Sequence, residues 1–130
     1  MGIKYLWDTN TAIYYLQRLF PVSAEEFMDG VLKEFQPCIS AITEIELLCW
    51  KTPNENDLAV LNSFISDSIL FELEKDIKIK TAFLRKNHKI KLPDAIIAAT
   101  AIANGLTLLT RNVSDFQNIS DLSFINPWDK

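Results

Sequence analysis

The chain of 130 residues contains a single histidine and two cysteines. With His88 alone, no histidine-based acid–base pair can form, and its place at the end of a helical stretch reads as an exposed helix terminus. Cys38 and Cys49 stand in apolar stretches, and neither a CxxC spacing nor a His-rich partner set accompanies them. Two buried thiols in a reducing cytosol are expected. No run approaches the roughly 18 uninterrupted apolar residues of a membrane-spanning helix. Met1-Gly2-Ile3-Lys4-Tyr5 lacks the long apolar segment of a secretory signal. A soluble cytoplasmic protein with no membrane partner is expected. Low-complexity segments, repeats and an obvious interdomain linker are also missing, so residues 1–130 are expected to form one domain.

Positive charge is scarce as well. The net charge is −4 and the pI near 4.9, which argues against a protein that holds nucleic acid by bulk electrostatics. A mean charge can mislead, however. Carboxylates crowded into one pocket lower the total, and bound divalent ions restore positive potential where a phosphate must approach.

What is present is a fully sufficient core, 48% hydrophobic, in short β-type runs that alternate with helical patterns. Ile3-Lys4-Tyr5-Leu6-Trp7 ends at Asp8, and Ala12, Ile13, Leu16 and Leu19 mark a helix from Thr9 to Leu19, closed by Phe20-Pro21. Ser23 with Glu26 reads as a capping box for a second helix through Phe35. Pro37 to Ser40 is a short buried strand, and Thr43 to Lys51 a helix broken at Thr52-Pro53-Asn54. Leu58, Leu61 and Ile65 mark a further helix, Ile69-Leu70-Phe71 a strand, and Glu74 to Asn87 a longer helix. Pro93 suits a first helical turn, Ala95 to Ala103 is apolar almost all round, and Asn104-Gly105 stops that helix. Thr107-Leu108-Leu109 is a buried strand and Ser123-Phe124-Ile125 an edge strand. Strands that alternate with helices predict an α/β fold, a short, mostly parallel central sheet with helices on both faces.

Such sheets bind ligands beyond the carboxyl ends of their strands. Asp8 follows the first strand, Thr110 follows the Leu108-Leu109 strand, and Asp115 comes shortly after. Glu46 and Glu44, two apart on a helix, point to different faces and cannot serve one site together. Asp94 opens an apolar helix that must be buried, so its carboxylate is directed toward the same sheet edge. Taken singly, Asp94 is a helix-dipole residue and Asp115 a turn residue. Together with Asp8 they suggest one acidic site.

Four segments, in order, carry a family resemblance: Leu6-Trp7-Asp8-Thr9-Asn10, Ile39 to Leu48, Leu92 to Ala99, and Leu109 to Phe116. The chain resembles a PIN-domain ribonuclease, in particular the VapC-type toxin of a bacterial toxin–antitoxin pair. The resemblance runs from Leu6 to about Trp128 and implies a PIN-like three-layer sandwich. It also implies a metal site of Asp8, Glu46, Asp94 and Asp115, with Glu46 three residues after Thr43. Many members carry an acid two residues after the Thr110 position, where this chain has Asn112. Asp115, before Phe116, takes that place in this chain. Asn10, Thr110 and Asn112 would hold the acids in position.

Two carboxylates 5 Å apart repel by roughly 3 kcal/mol at an effective dielectric near 20, so four of them call for a cation. Hard oxygen ligands select Mg²⁺ or Mn²⁺. Such an ion orients a water, lowers its pKa and neutralises the transition state of attack on an RNA phosphodiester, leaving a 3′-hydroxyl and a 5′-phosphate. Cations must then bind the substrate. Arg111 is the favoured phosphate contact, and the run Arg85, Lys86, Lys89 and Lys91 reads more plainly as a solvated helix end. Tyr14, Tyr15, Leu19, Phe20, Phe27 and Trp50 read as core, or else as an exposed groove for a partner. The resemblance further implies a homodimer and a small cognate antitoxin protein. Two other readings stand beside it. A haloacid-dehalogenase-type phosphatase needs an acid where Asn10 stands, and a non-catalytic PIN-like RNA- or protein-binding domain would accommodate Asn112.

Overall fold

The computed structural model describes residues 2–52 and 54–130, so the break expected at Thr52-Pro53-Asn54 lies partly outside the described residues. Strands only three residues long are marginal unless both faces are covered, and here they are. β1 (Tyr5–Trp7) and β2 (Cys38–Ser40) are buried throughout, and β4 (Thr107–Leu109) nearly so, while β3 (Ile69–Phe71) and β5 (Phe124–Ile125) lie at the two edges. Every pairing between these strands is parallel, in the order β3-β2-β1-β4-β5.

Parallel neighbours require crossovers, which the helices α1 (Thr9–Leu16), α2 (Val22–Glu34), α3 (Ala41–Leu48), α4 (Glu55–Asp67), α5 (Lys75–Asn87) and α6 (Leu92–Ala103) supply. A one-turn helix, α7 (Val113–Phe116), lies between β4 and β5. Alternation along each strand divides the apolar side chains into two cores. Tyr5, Trp7, Ile39 and Leu109 pack with residues of α1 to α4, and Leu6, Cys38 and Leu108 with residues of α5, α6 and α7. Helices therefore cover both faces, as the residue pattern predicts. The chain moves from β1 outward through β2 to β3, then returns to β4 on the other side of β1. The sheet's switch point thus lies between β1 and β4.

Several local expectations change. α1 ends at Leu16 rather than Leu19, because Leu19 N–H donates to the Tyr14 carbonyl (2.9 Å) and Arg18 N–H to that of Tyr15 (3.1 Å). This is the Schellman arrangement, with Arg18 at φ 55° where glycine is usual. The Ser23–Glu26 capping box does not form, since Pro21 occupies the N-cap position and Ser23 is already helical. α3 starts two residues early, because Ser40 Oγ accepts from Thr43 N–H (3.2 Å) and caps it, and it closes at Leu48. The residues of α6 from Ala95 to Ala101 are all buried, with Pro93 in the first turn and Gly105 at φ 64° beyond the Asn104 cap. Of the two thiols expected to be buried, Cys38 is, whereas Cys49 caps α3 and is exposed. Burial pushes the Cys38 thiol up to about 11. Among the aromatic residues, Phe20 is buried and Tyr14, Tyr15, Phe27 and Trp50 are half-buried against the core; Leu19 is exposed. No helix among the described residues is long and apolar enough to cross a membrane.

Thr11 ties α1 to β4 by donating from its buried hydroxyl to the Leu109 carbonyl (2.8 Å). That carbonyl also accepts from Asp8 N–H (3.1 Å), so it stays satisfied if the hydroxyl is lost. Thr11→Val should therefore cost only about 0.5–1.5 kcal/mol in chemical unfolding; a loss well beyond that would mean the bond also positions the strand ends.

Candidate active site

The end of β1 places Asp8 at the switch point, where it also caps α1. Only 5% of Asp8 is exposed. Its Oδ1 accepts from Thr9 N–H (2.8 Å) and its Oδ2 from the Thr110 hydroxyl (2.7 Å). Burial raises the pKa of this carboxyl above the ordinary range; the Thr110 and Thr9 bonds oppose the rise, and Glu46 and Asp115 add to it. Thr110 is set in turn by the N–H of Asn112, which donates to its Oγ1 (3.0 Å). The part that Asn112 plays in this chain of bonds is a backbone one, so its neutral side chain does not weaken it.

Glu46 is reached through hydroxyls. Thr9 Oγ1 lies 2.6 Å from Glu46 Oε1 and 3.0 Å from Thr43 Oγ1, which lies 3.2 Å from Ser40 Oγ. A carboxylate only accepts, so the Thr9 proton goes to Glu46. Thr43 must then donate to Thr9, and Ser40 to Thr43. Ser40, Thr43 and Thr9 are all buried and link β2, α3 and α1.

Asp94 stands in the first turn of α6, behind Pro93. Burial first, then the charges of Asp8, Asp115 and Glu46, push its pKa up to about 6, with Lys91 pulling the other way. Asp115 is exposed on α7, the helix that the residue pattern showed only as a turn. A cleft of about 390 Å³ is lined by Asp94, Asp115, Arg85, Lys89, Ile90 and Lys91. Asp94 thus lies within electrostatic reach of Asp8, Asp115 and Glu46, and Asp8 of Glu46 and Asp115. No three of them converge into a ready-made metal cage among the described residues.

The remaining expectations fare unequally. Asn10 is exposed, and among the described residues no hydrogen bond joins it to the four acids. Thr9, Thr43 and Ser40 make the supporting bonds instead; their signal was a hydroxyl beside Asp8 and another one helical turn before Glu46. Arg111 is not among the residues that line the cleft, and its guanidinium lies 5.3 Å from the Trp128 ring centroid.

The donor set suits a divalent cation. All four groups are carboxylates, and burial with mutual repulsion disfavours ionised Asp8 and Asp94, a cost that positive charge would relieve. Mg²⁺ commonly binds through one or two carboxylates and keeps several waters, which agrees with Asp94 and Asp115 lining one cleft while, among the described residues, no three of the acids converge.

A doubly wound parallel sheet with a buried acid, Asp8, at its switch point defines an α/β domain of the class that binds ligands outside the carboxyl ends of its strands. Residues 5–122 match the PIN domain, and the chain belongs to that family. It is 29% identical to the tRNA(fMet)-specific endonuclease VapC of Salmonella typhimurium, over 97% of this chain and 98% of that one. It is 28% identical to Ribonuclease VapC2 of Rickettsia felis, over the same shares of the two chains, 97% and 98%. Among solved structures, the DNA-bound VapBC of Salmonella typhimurium superposes with a TM-score of 0.79 at 28% identity, over 96% of this chain and 98% of that chain.

The acids make stability depend on pH. A carboxyl raised from 3.8 to about 6 on folding favours the folded state when protonated; Asp94 therefore contributes stability at low pH that is lost as pH rises through about 6. In metal-free protein, Asp94→Asn should match wild type near pH 4 and gain in melting temperature over it up to about pH 7. A constant difference across that range would contradict the assignment.

Proposed function

We propose that the protein is a metal-dependent endoribonuclease and the toxin of a toxin–antitoxin pair. The observation that carries this reading is Asp8. Its carboxylate is buried at the end of the central strand, fixed at both oxygens, and is coupled by charge to Asp94, Asp115 and Glu46. Near full-length likeness to chains named tRNA(fMet)-specific endonuclease and ribonuclease supports RNA as the substrate. Likeness to VapBC complexes supports a small antitoxin protein as partner.

Asp8, Asp94 and Asp115 would hold Mg²⁺ or Mn²⁺, directly or through water, and Glu46 would ligate or orient water. The ion, when bound, supplies positive charge beside the phosphate and acidifies water. The chain's own residues do the rest. Thr110 and Thr9 keep the Asp8 carboxylate in one orientation, and the Ser40-Thr43-Thr9 relay does so for Glu46. A water oxygen bonds to phosphorus as the P–O3′ bond breaks and O3′ takes a proton, leaving 3′-hydroxyl and 5′-phosphate ends.

Purified protein should cleave RNA with millimolar Mg²⁺ or Mn²⁺, lose activity in excess EDTA, and lose about 100-fold or more in Asp8→Asn and Asp94→Asn. RNA-end sequencing should find 5′-phosphates at the cuts; cleavage that survives EDTA, or is unchanged in both variants, would sink the metal mechanism. Thr110→Val, which removes one bond to Asp8, should lower activity about 10- to 100-fold, with titrated Mn²⁺ partly restoring it. Activity equal to wild type at limiting metal would show that Thr110 is dispensable.

A further inference from the structure

The basic run before Asp94 is divided by the fold. Arg85, Lys89 and Lys91 line the cleft with Asp94 and Asp115, whereas Lys86, within the same run, does not. Arg85 lies in the last turn of α5, and His88 and Lys91, at the ends of the α5–α6 connection, have extended dihedrals. Lys89 and Lys91 flank Ile90, which packs on the core and also lines the cleft, so the two cations border its apolar floor.

These cations are also unspent. Arg18 pairs with Glu25 and Lys80 with Asp121, and Arg111 is engaged on Trp128, but among the described residues none of Arg85, Lys89 or Lys91 is in an ion pair. On a chain of net charge −4, three unpaired cations facing one cleft form a local exception. Such a group attracts a polyanion, and a guanidinium can take two phosphate oxygens at once. We infer that Arg85, Lys89 and Lys91 form a rim that holds the RNA backbone against the acids. The inference rests on the nuclease reading for its ligand.

The test is fluorescence anisotropy of a labelled single-stranded RNA across a salt series, in the full chain carrying Asp8→Asn so that the RNA stays intact, with Mg²⁺ present. Arg85→Ala and Lys89→Ala should each weaken binding several-fold and reduce the slope of log K against log salt by about 0.7 for each phosphate no longer neutralised. Lys86→Ala should change neither quantity. All these positions are exposed, so melting temperatures should agree, and Arg85→Gln and Lys89→Gln repeat the measurement with less change in bulk. Unchanged affinity and slope in the rim variants, or an equal effect from Lys86→Ala, would overturn the rim. The two readings fail separately. Wild-type protein that cuts RNA without any rim effect loses the rim alone, and protein that binds through the rim but never cuts loses the nuclease alone.

Discussion

One buried carboxylate constrains the rest of the molecule. Asp8 follows the central strand at the point where the chain order of the sheet reverses, and it is tolerated there because Thr9 N–H and the Thr110 hydroxyl occupy its two oxygens. The first donor is the neighbouring residue, but the second depends on register. β1 and β4 pair Leu6 with Leu108 and Trp7 with Leu109, so the next step brings Asp8 beside Thr110. A slip of one residue would part that pair and also turn Leu6 and Trp7 to the wrong cores. The packing that stabilises the fold and the bond that fixes the acid are therefore enforced by the same alignment. Fold and site cannot be varied independently at this edge.

The choice of hydroxyls around the acids has an electrostatic reason. A lysine or arginine beside Asp8 would stabilise the carboxylate more strongly, but it would cancel the negative potential that a cation needs. Threonine and serine donate without adding charge. Asp8 and Glu46 are held in place by Thr9, Thr43, Ser40 and Thr110, and burial, with the uncompensated charges of Asp8 and Asp115, pushes the Asp94 pKa up to about 6. Position is gained while charge is kept, the condition under which acids bind an ion rather than each other's counter-charges.

The periodic part of this design was legible in the chain. Short apolar runs between helical patterns predicted the parallel sheet and its two covers, and the apolar stretch between Pro93 and Asn104-Gly105 predicted the buried helix. Features that rest on one backbone angle or one tertiary neighbour were not. Arg18 in a left-handed conformation ends α1 early, with no glycine to announce it. Pro21 takes the cap for which Ser23 and Glu26 have the right spacing. Cys49 belongs to an apolar stretch, but the helix ends there and turns it outward. Asn10 and Thr9 are neighbours in one motif, and only the direction of the helix decides that Thr9 faces Thr43 and Glu46 while Asn10 faces solvent.

The cleft holds charges of both signs that do not neutralise one another. Arg85, Lys89 and Lys91 line it with Asp94 and Asp115, yet none of the three is in an ion pair among the described residues; Lys91 reaches Asp94 only as a field that pulls its pKa down. A closed bridge would hold acid and base against each other and leave neither for a ligand. Kept apart, the acids are free for a cation and the bases for a phosphate, and each such ligand would offset the charge that repels the other. By linkage, an ion among the acids must strengthen the hold on a polyanion at the rim to the same degree that the polyanion strengthens the hold on the ion. On a chain with net charge −4, the hold on a polyanion at the rim would therefore be strongest once an ion occupies the acids.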